Sequence, residues 1–184
     1  MEVEALHLKG LLVLSPKVHG DARGYFMEAF NKERFREQGI TLEVSQHNHS
    51  YSQAGVVRGL HFQWDNPLDK LIRVIGGRAF VVAVDIRKKS PTYKEWVGIE
   101  LSSENKKQIF MPFGFASGFY AYEDGTQLEY YYSAQFNAEG ESNIRYDDPE
   151  IAITWPAKDV TVSARDEAAQ LLSEWEKRPE SDLF

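Results

Sequence analysis

Residues 55–70 read GVVRGLHFQWDNPLDK, a run from Val56 to Gln63 that reads as a strand, followed by a loop closed by Lys70. Alternation along a strand sends neighbours to opposite faces. Val57, Gly59, His61 and Gln63 therefore share one face, and Arg58 lies on the other unless a bulge intervenes. Gly59 is where a bulge would sit, since a glycine inside a strand often marks one, or marks a close approach of backbone or ligand. With a bulge, Arg58 and His61 meet at one pocket. Without it, the stretch is a packed histidine beside a surface arginine.

The same rhythm of short apolar or alternating runs between turn residues recurs on both sides of this strand. The runs are Leu11 to Leu14, Tyr25 to Phe30, Thr41 to Gln46, Leu71 to Ile75, Ala79 to Ile86, Trp96 to Leu101, Lys107 to Met111, Gly118 to Tyr122 and Gln127 to Phe136. Such close, regular spacing is the pattern of an antiparallel sandwich or barrel. Helical signals are few. Asn31 to Gln38 reads as one short helix, with Asn31 as N-cap and Gly39 just past its end. Ser163 to Lys177 reads as another, opened by Ser163-Ala-Arg-Asp166 in capping-box spacing and carrying Ala168, Leu171, Leu172 and Trp175 at helical intervals. The tail from Pro179 to Phe184 is expected to fray.

A chain of 184 residues with 42% hydrophobic and 13% aromatic content supports one packed domain spanning 1–184, with no composition break or internal repeat. A formal charge of -7 argues against a nucleic-acid protein, because duplex binding needs a basic footprint. A small phosphorylated ligand needs only a local pair of arginines. There is no cysteine, so disulfides and thiolate metal sites are excluded. The first residues carry no basic-then-apolar leader, and no apolar run approaches the ~20 residues of a membrane helix, so no membrane association and a cytoplasmic location are expected.

Several short motifs carry chemical possibilities. In His19-Gly-Asp21-Ala-Arg23-Gly24-Tyr25-Phe26 a charged turn precedes an aromatic strand, and Arg23 has the planar fork that suits a phosphate. In Gln46-His-Asn-His49, His47 and His49 share a strand face and with His61 could form a three-histidine metal site. Metal-binding jelly rolls usually supply Pro-x-Gly-x-x-His as well, and here Pro112-Phe-Gly114-Phe-Ala-Ser117 places serine at the ligand position. His61-Phe-Gln63 also stands where His-x-His would be expected, so no metal is assigned. Glu129-Tyr130-Tyr131-Tyr132 puts tyrosines on both faces of one strand. A phenol with reference pKa ~10 keeps its proton at neutral pH and can quench a carbanion, which makes Tyr130 a candidate acid alongside an ordinary core role. Asp166 serves the capping box, and could serve His61 if the fold brings the two together.

Taken together, the chain resembles the dTDP-4-dehydrorhamnose 3,5-epimerase family. The runs that carry the resemblance include Gly20-Asp-Ala-Arg-Gly-Tyr-Phe-Met-Glu28, Gln46-His-Asn-His-Ser50, Val57-Arg-Gly-Leu-His-Phe-Gln63, Lys70-Leu-Ile-Arg73, Pro112-Phe-Gly-Phe-Ala116 and Ser163-Ala-Arg-Asp166. In order along the chain, the matching runs cover roughly residues 10 to 173. The resemblance implies an all-β jelly roll, the double-stranded β-helix of the cupins, with a few short peripheral helices. It also implies a homodimer, no metal or organic cofactor, and the nucleotide-sugar substrate dTDP-4-dehydro-6-deoxy-glucose. Residue by residue, it makes His61 the general base, Asp166 the carboxylate that orients it, Tyr130 the acid on the opposite face of the sugar, and Lys70 the cation beside the carbon 4 oxygen. Arg23, Glu28, Gln46, His47, Asn48, Arg58, Lys70, Ser117, Glu141 and Arg165 fall on substrate-binding positions, and Phe136 where an aromatic ring stacks on the thymine.

These residue types suit the implied chemistry. A proton next to a ketone is removable only if the developing enolate is stabilised, which a lysine aimed at that oxygen does electrostatically. A neutral imidazole suits the removal, and a buried carboxylate fixes its tautomer and stabilises the imidazolium that forms. Inversion then needs a proton from the other side. The chain departs from the family where histidine usually stands, at Ser117, where aspartate is common, at His47 and Val81, and where an aromatic is more usual, at His19. Ser117 removes a substrate contact. Four other readings therefore stay open: an epimerase that inverts a single centre, a ketoisomerase of a related nucleotide sugar, a sugar-binding jelly roll without catalysis, and a metal-dependent cupin.

Overall fold

The computed structural model describes residues Met1–Phe184. The chain runs through β1 (Glu2–Ala5), β2 (Leu12–Ser15), β3 (Val18–Asp21), β4 (Gly24–Met27), α1 (Lys32–Glu37), β5 (Gln46–Ser52), β6 (Val57–Gln63), β7 (Lys70–Gly76) and β8 (Arg78–Asp85). It continues through β9 (Trp96–Ser102), β10 (Gln108–Met111), β11 (Phe115–Ala121), β12 (Thr126–Tyr132), β13 (Glu141–Asn143), α2 (Ala164–Glu167) and α3 (Leu172–Trp175) to a 3-10 turn at Pro179–Leu183. The strands form a six-stranded sheet, β1-β2-β10-β7-β12-β5, and a five-stranded sheet, β13-β6-β11-β8-β9, with β3 and β4 as a separate hairpin. Apart from the paired β8 and β9, successive strands from β5 to β12 cross between the two sheets, which is the jelly-roll winding expected from the sequence.

Three apolar layers follow from the two-residue period. Between the sheets lie Leu11, Ile72, Val74, Val81, Ile109, Phe119 and Leu128. Outside the five-stranded sheet, Leu60, Phe62, Val82 and Val84 are covered by Ile144, Ile151, Leu172 and Trp175 of the C-terminal region. Outside the six-stranded sheet, Leu14, Leu71 and Phe110 pack against Phe35, Ile40 and Leu42 from α1 and the segment after it. The five-stranded sheet is therefore buried on both faces, which is why Ala79 to Val84 reads as an unbroken apolar run.

Helix α1 has the expected ends: Asn31 caps it by accepting from the Arg34 amide, and Gly39 follows with φ of +80°. Three local expectations are corrected. Thr41 to Ser45 is irregular rather than a strand, because Ile40 and Leu42 are drawn under α1 and pairing with β12 starts only at Gln46. The single helix expected over Ser163 to Lys177 is two short ones. Between them the Gln170 carbonyl accepts from the Arg145 amide at 3.0 Å and Asp148 accepts from the Leu172 amide at 2.7 Å, so tertiary bonds replace the helical ladder. The tail does not fray. Ser181 is buried and bonded to the Arg178 carbonyl at 2.6 Å, while Phe184 meets Phe62 and Trp175. No helix is long and apolar enough to cross a membrane.

Candidate active site

A cavity opens between the sheets, and the decisive local event is in β6. Pairing with β11 runs Ser117 opposite His61 and Phe119 opposite Arg58, so two steps along β11 meet three along β6. The bulge falls at Gly59 and Leu60. Gly59 has φ of +136°, and a Cβ there would lie 2.5 Å from the Gly118 Cα, so both the backbone angle and the close approach require glycine. The bulge brings Arg58 to the same cavity as His61, as the bulged alternative predicts. Lys70, Ser117, Tyr130, Tyr132 and Glu141 complete its polar lining, over an apolar floor of Ile72, Val81, Phe119 and Leu128.

His61 Nε2 lies 2.6 Å from Asp166 Oδ1. The Asp166 side chain is only 3% exposed, yet its carboxyl is held below the usual range. Burial alone would raise it, but the His61 ring, the Gly59 amide and Ser163 together outweigh that cost. An ionised Asp166 accepts the Nε2 proton, so Nδ1 is left as the basic nitrogen of the ring. Asp166 thus does two jobs with different atoms: its amide donates to Ser163 Oγ at 3.1 Å as the helix cap, and its carboxylate serves the histidine.

Lys70 and Tyr130 reach the cavity from the opposing six-stranded sheet. Lys70 Nζ donates to Ser117 Oγ at 3.0 Å and to the His61 carbonyl at 3.1 Å, and burial lowers its pKa to about 8. The Tyr130 hydroxyl is 3.1 Å from Ser50 Oγ, and burial pushes the phenol up to about 12, so it carries its proton throughout the neutral range. Glu141 pairs with Arg165, whose charge thereby borders the cavity without lining it.

Strand β5 alternates with Gln46, Asn48 and Ser50 half-buried and His47, His49 and Tyr51 exposed. Gln46 donates to Asn48 at 2.8 Å and accepts from the Phe136 amide at 2.7 Å, which tethers the half-exposed Phe136 after β12 to the inner face of β5. Gln63 braces the same loop, accepting from the Asn137 amide at 2.8 Å. His47 is a correction. It lies on the outer face, stacked on Tyr131 at 4.5 Å and 3.6 Å from Glu129, so it is not a residue of this cavity. The three-histidine set is likewise not assembled, since His47 and His49 point away from His61.

Arg23 and Glu28 also stay outside the cavity of their own chain. Arg23 is 89% exposed and bonded to Asp21, and Glu28 pairs with Arg34 at 3.0 Å. Sequence reasoning missed Ser50 and Tyr132. Both were accessible to it: period two from Gln46 and Asn48 leads to Ser50, and from Tyr130 to Tyr132.

The model of the dTDP-4-dehydrorhamnose 3,5-epimerase family matches residues 5–174. A curated dTDP-4-dehydrorhamnose 3,5-epimerase from Methanothermobacter thermautotrophicus is 46% identical over 162 residues, covering 86% of this chain and 88% of that protein. Among solved structures, the dTDP-6-deoxy-D-glucose-3,5-epimerase RmlC of Legionella pneumophila Philadelphia 1, in complex with dTDP-4-keto-L-rhamnose, superposes with a TM-score of 0.91 at 43% identity, over 94% of this chain and 93% of that one. ChmJ, a 3'-monoepimerase from Streptomyces bikiniensis in complex with dTDP-quinovose, gives a TM-score of 0.88 at 29% identity, over 94% of this chain and 88% of that one. Fold, cavity and sequence converge: the chain belongs to the dTDP-4-dehydrorhamnose 3,5-epimerase family.

Proposed function

We propose that this isomerase inverts carbons 3 and 5 of dTDP-4-dehydro-6-deoxy-glucose to give dTDP-4-dehydro-L-rhamnose, with His61 as base and Tyr130 as acid. One observation carries the division of labour: His61 enters the cavity from the five-stranded sheet and Tyr130 from the six-stranded sheet. A sugar ring held between them meets a base on one face and a proton donor on the other, which is what inversion needs. Nδ1 of His61 takes the proton next to the ketone. The remaining N–H of Lys70 meets the carbonyl oxygen as negative charge builds there, and Tyr130 returns a proton from the opposite side. Arg58 uses Nε on Ser52 and one NH2 bond on the Tyr51 carbonyl, leaving donors of its fork for the diphosphate.

Gln46, Asn48, Glu141, Arg165 and Phe136 would extend binding along the nucleotide, with Phe136 stacking on the thymine. Arg23 and Glu28 have no such path within one chain. The β3–β4 hairpin that carries or adjoins them presents Val18, Tyr25 and Phe26 at 40%, 58% and 73% exposure, and we infer that a second copy of the chain covers it in a homodimer. The enzyme acts in the cytoplasm, where nucleoside triphosphates activate sugars.

Proton NMR of dTDP-4-dehydro-6-deoxy-glucose with the protein in deuterium oxide tests the reading. Deuterium entering carbons 3 and 5, with a reductase trapping the inverted product, is the expected result. Exchange at carbon 3 alone would make the chain a single-centre enzyme in the manner of a monoepimerase, and no exchange above an enzyme-free control would leave a binding protein.

A further inference from the structure

Lys70 leaves β7 in one sheet, and its ammonium ends against the other. The residue is 9% exposed, and two acceptors meet its nitrogen, Ser117 Oγ at 3.0 Å and the His61 carbonyl at 3.1 Å. The flanking wall is the Tyr132 ring, whose centre is 5.9 Å from Nζ. An ammonium has three N–H donors, so this seat uses two and leaves one. Ser117 is itself held: it pairs across β11 with His61 on one side and Ala83 on the other, and its hydroxyl reaches the His61 carbonyl at 3.4 Å. The Glu141 carboxylate, engaged by Arg165, raises the lysine's affinity for protons through its charge, against the larger effect of burial.

We propose that Ser117 is a positioning residue for Lys70: its hydroxyl and the His61 carbonyl form a two-acceptor seat that fixes the ammonium and turns its third N–H toward the substrate's carbonyl oxygen. Ser117 then acts through Lys70 rather than by touching the sugar. This rests on the reading of Lys70 as the cation of the reaction, and the test separates the two.

Selective 15N labelling of lysine allows the Lys70 ammonium to be titrated by NMR in the ligand-free protein, with no reference to turnover. Removing one acceptor from a buried cation disfavours its charged form, so Ser117→Ala should lower the Lys70 midpoint by about one pH unit. Ser117→Cys, nearly isosteric with a weaker acceptor, should fall between. The basic limb of kcat/KM should move with the NMR midpoint in the same order, whereas a merely structural role would lower the amount of folded enzyme and leave the limb in place. An unchanged Lys70 midpoint in both variants would overturn the proposal. A midpoint that falls while the limb of kcat/KM stays put keeps the seat and removes Lys70 from the chemistry.

Discussion

The cavity and the β3–β4 hairpin carry the two halves of the expected substrate contacts, and they are built in opposite ways. In the cavity every polar group is tied to a different strand or segment: His61 to Asp166, Lys70 to Ser117, Tyr130 to Ser50. On the hairpin, the Arg23 side chain bonds only to Asp21, two residues away, and Tyr25 and Phe26 face outward. The first is preorganised by long-range contacts and can be broken one partner at a time. The second is held locally and gains a role only through something outside the chain.

The largest effects are expected inside. His61→Asn should lower the rate of carbon-bound deuterium exchange by about 10²–10⁴-fold, the usual worth of a general base. Asp166→Asn should also lose at least ~10²-fold, while the melting temperature moves little because the Asp166 amide still caps on Ser163. A near-normal exchange rate in that variant would reduce Asp166 to a helix cap. The pH profile is the next lever. Burial has lowered Lys70 to about 8, so the ammonium is complete below that pH and lost above it, and kcat/KM should fall about tenfold per pH unit on the alkaline side. Lys70→Met should abolish that limb and cost ~10²-fold in kcat; an alkaline limb that survives the substitution belongs to another group.

The hairpin should respond more mildly and in a different currency. Phe26→Ser is expected to weaken self-association at least ~10-fold, or about 1.4 kcal/mol, and to make specific activity depend on protein concentration. Sedimentation at several loadings reads this directly, and a monomeric wild type would end the homodimer reading. The smallest effect belongs to His47→Ala. Its stacking on Tyr131 is worth about 0.5–1.5 kcal/mol of stability, while kcat/KM should stay within about twofold. A larger kinetic loss would put that histidine back in the substrate's path.

Much of this was legible in the sequence because a strand's period is two and a turn's residues are few. The positions of nine strands followed from that rhythm, the run from Thr41 meeting β5 only at Gln46, and so did the conflict in assigning Gln46, His47 and Asn48 to one site: three consecutive strand residues cannot share a face. The bulge was readable as an option from Gly59, but only the register of β11 against β6 decides it. What stayed hidden depends on partners distant in the chain. The break between α2 and α3 is made by Arg145 and Asp148, and the irregular stretch after α1 by packing under that helix. Likewise, nothing local to Arg23 shows that its hairpin stands clear of the cavity.

His61 contributes to the site twice, with its imidazole to Asp166 and with its carbonyl to the Lys70 ammonium. One residue therefore carries the proposed base and supplies one of the two acceptors that hold the cation. A shift of β6 would carry the imidazole and that one acceptor, while Lys70 stays on β7 in the same sheet as Tyr130, so the base would part from the cation and the acid together. Wear on this enzyme, through heat or neighbouring substitutions, would then fail in a particular order. Proton removal, which needs the base and the cation brought from opposite sheets, would fail first, and a damaged molecule would bind its sugar and release it with the carbon-bound hydrogens unexchanged.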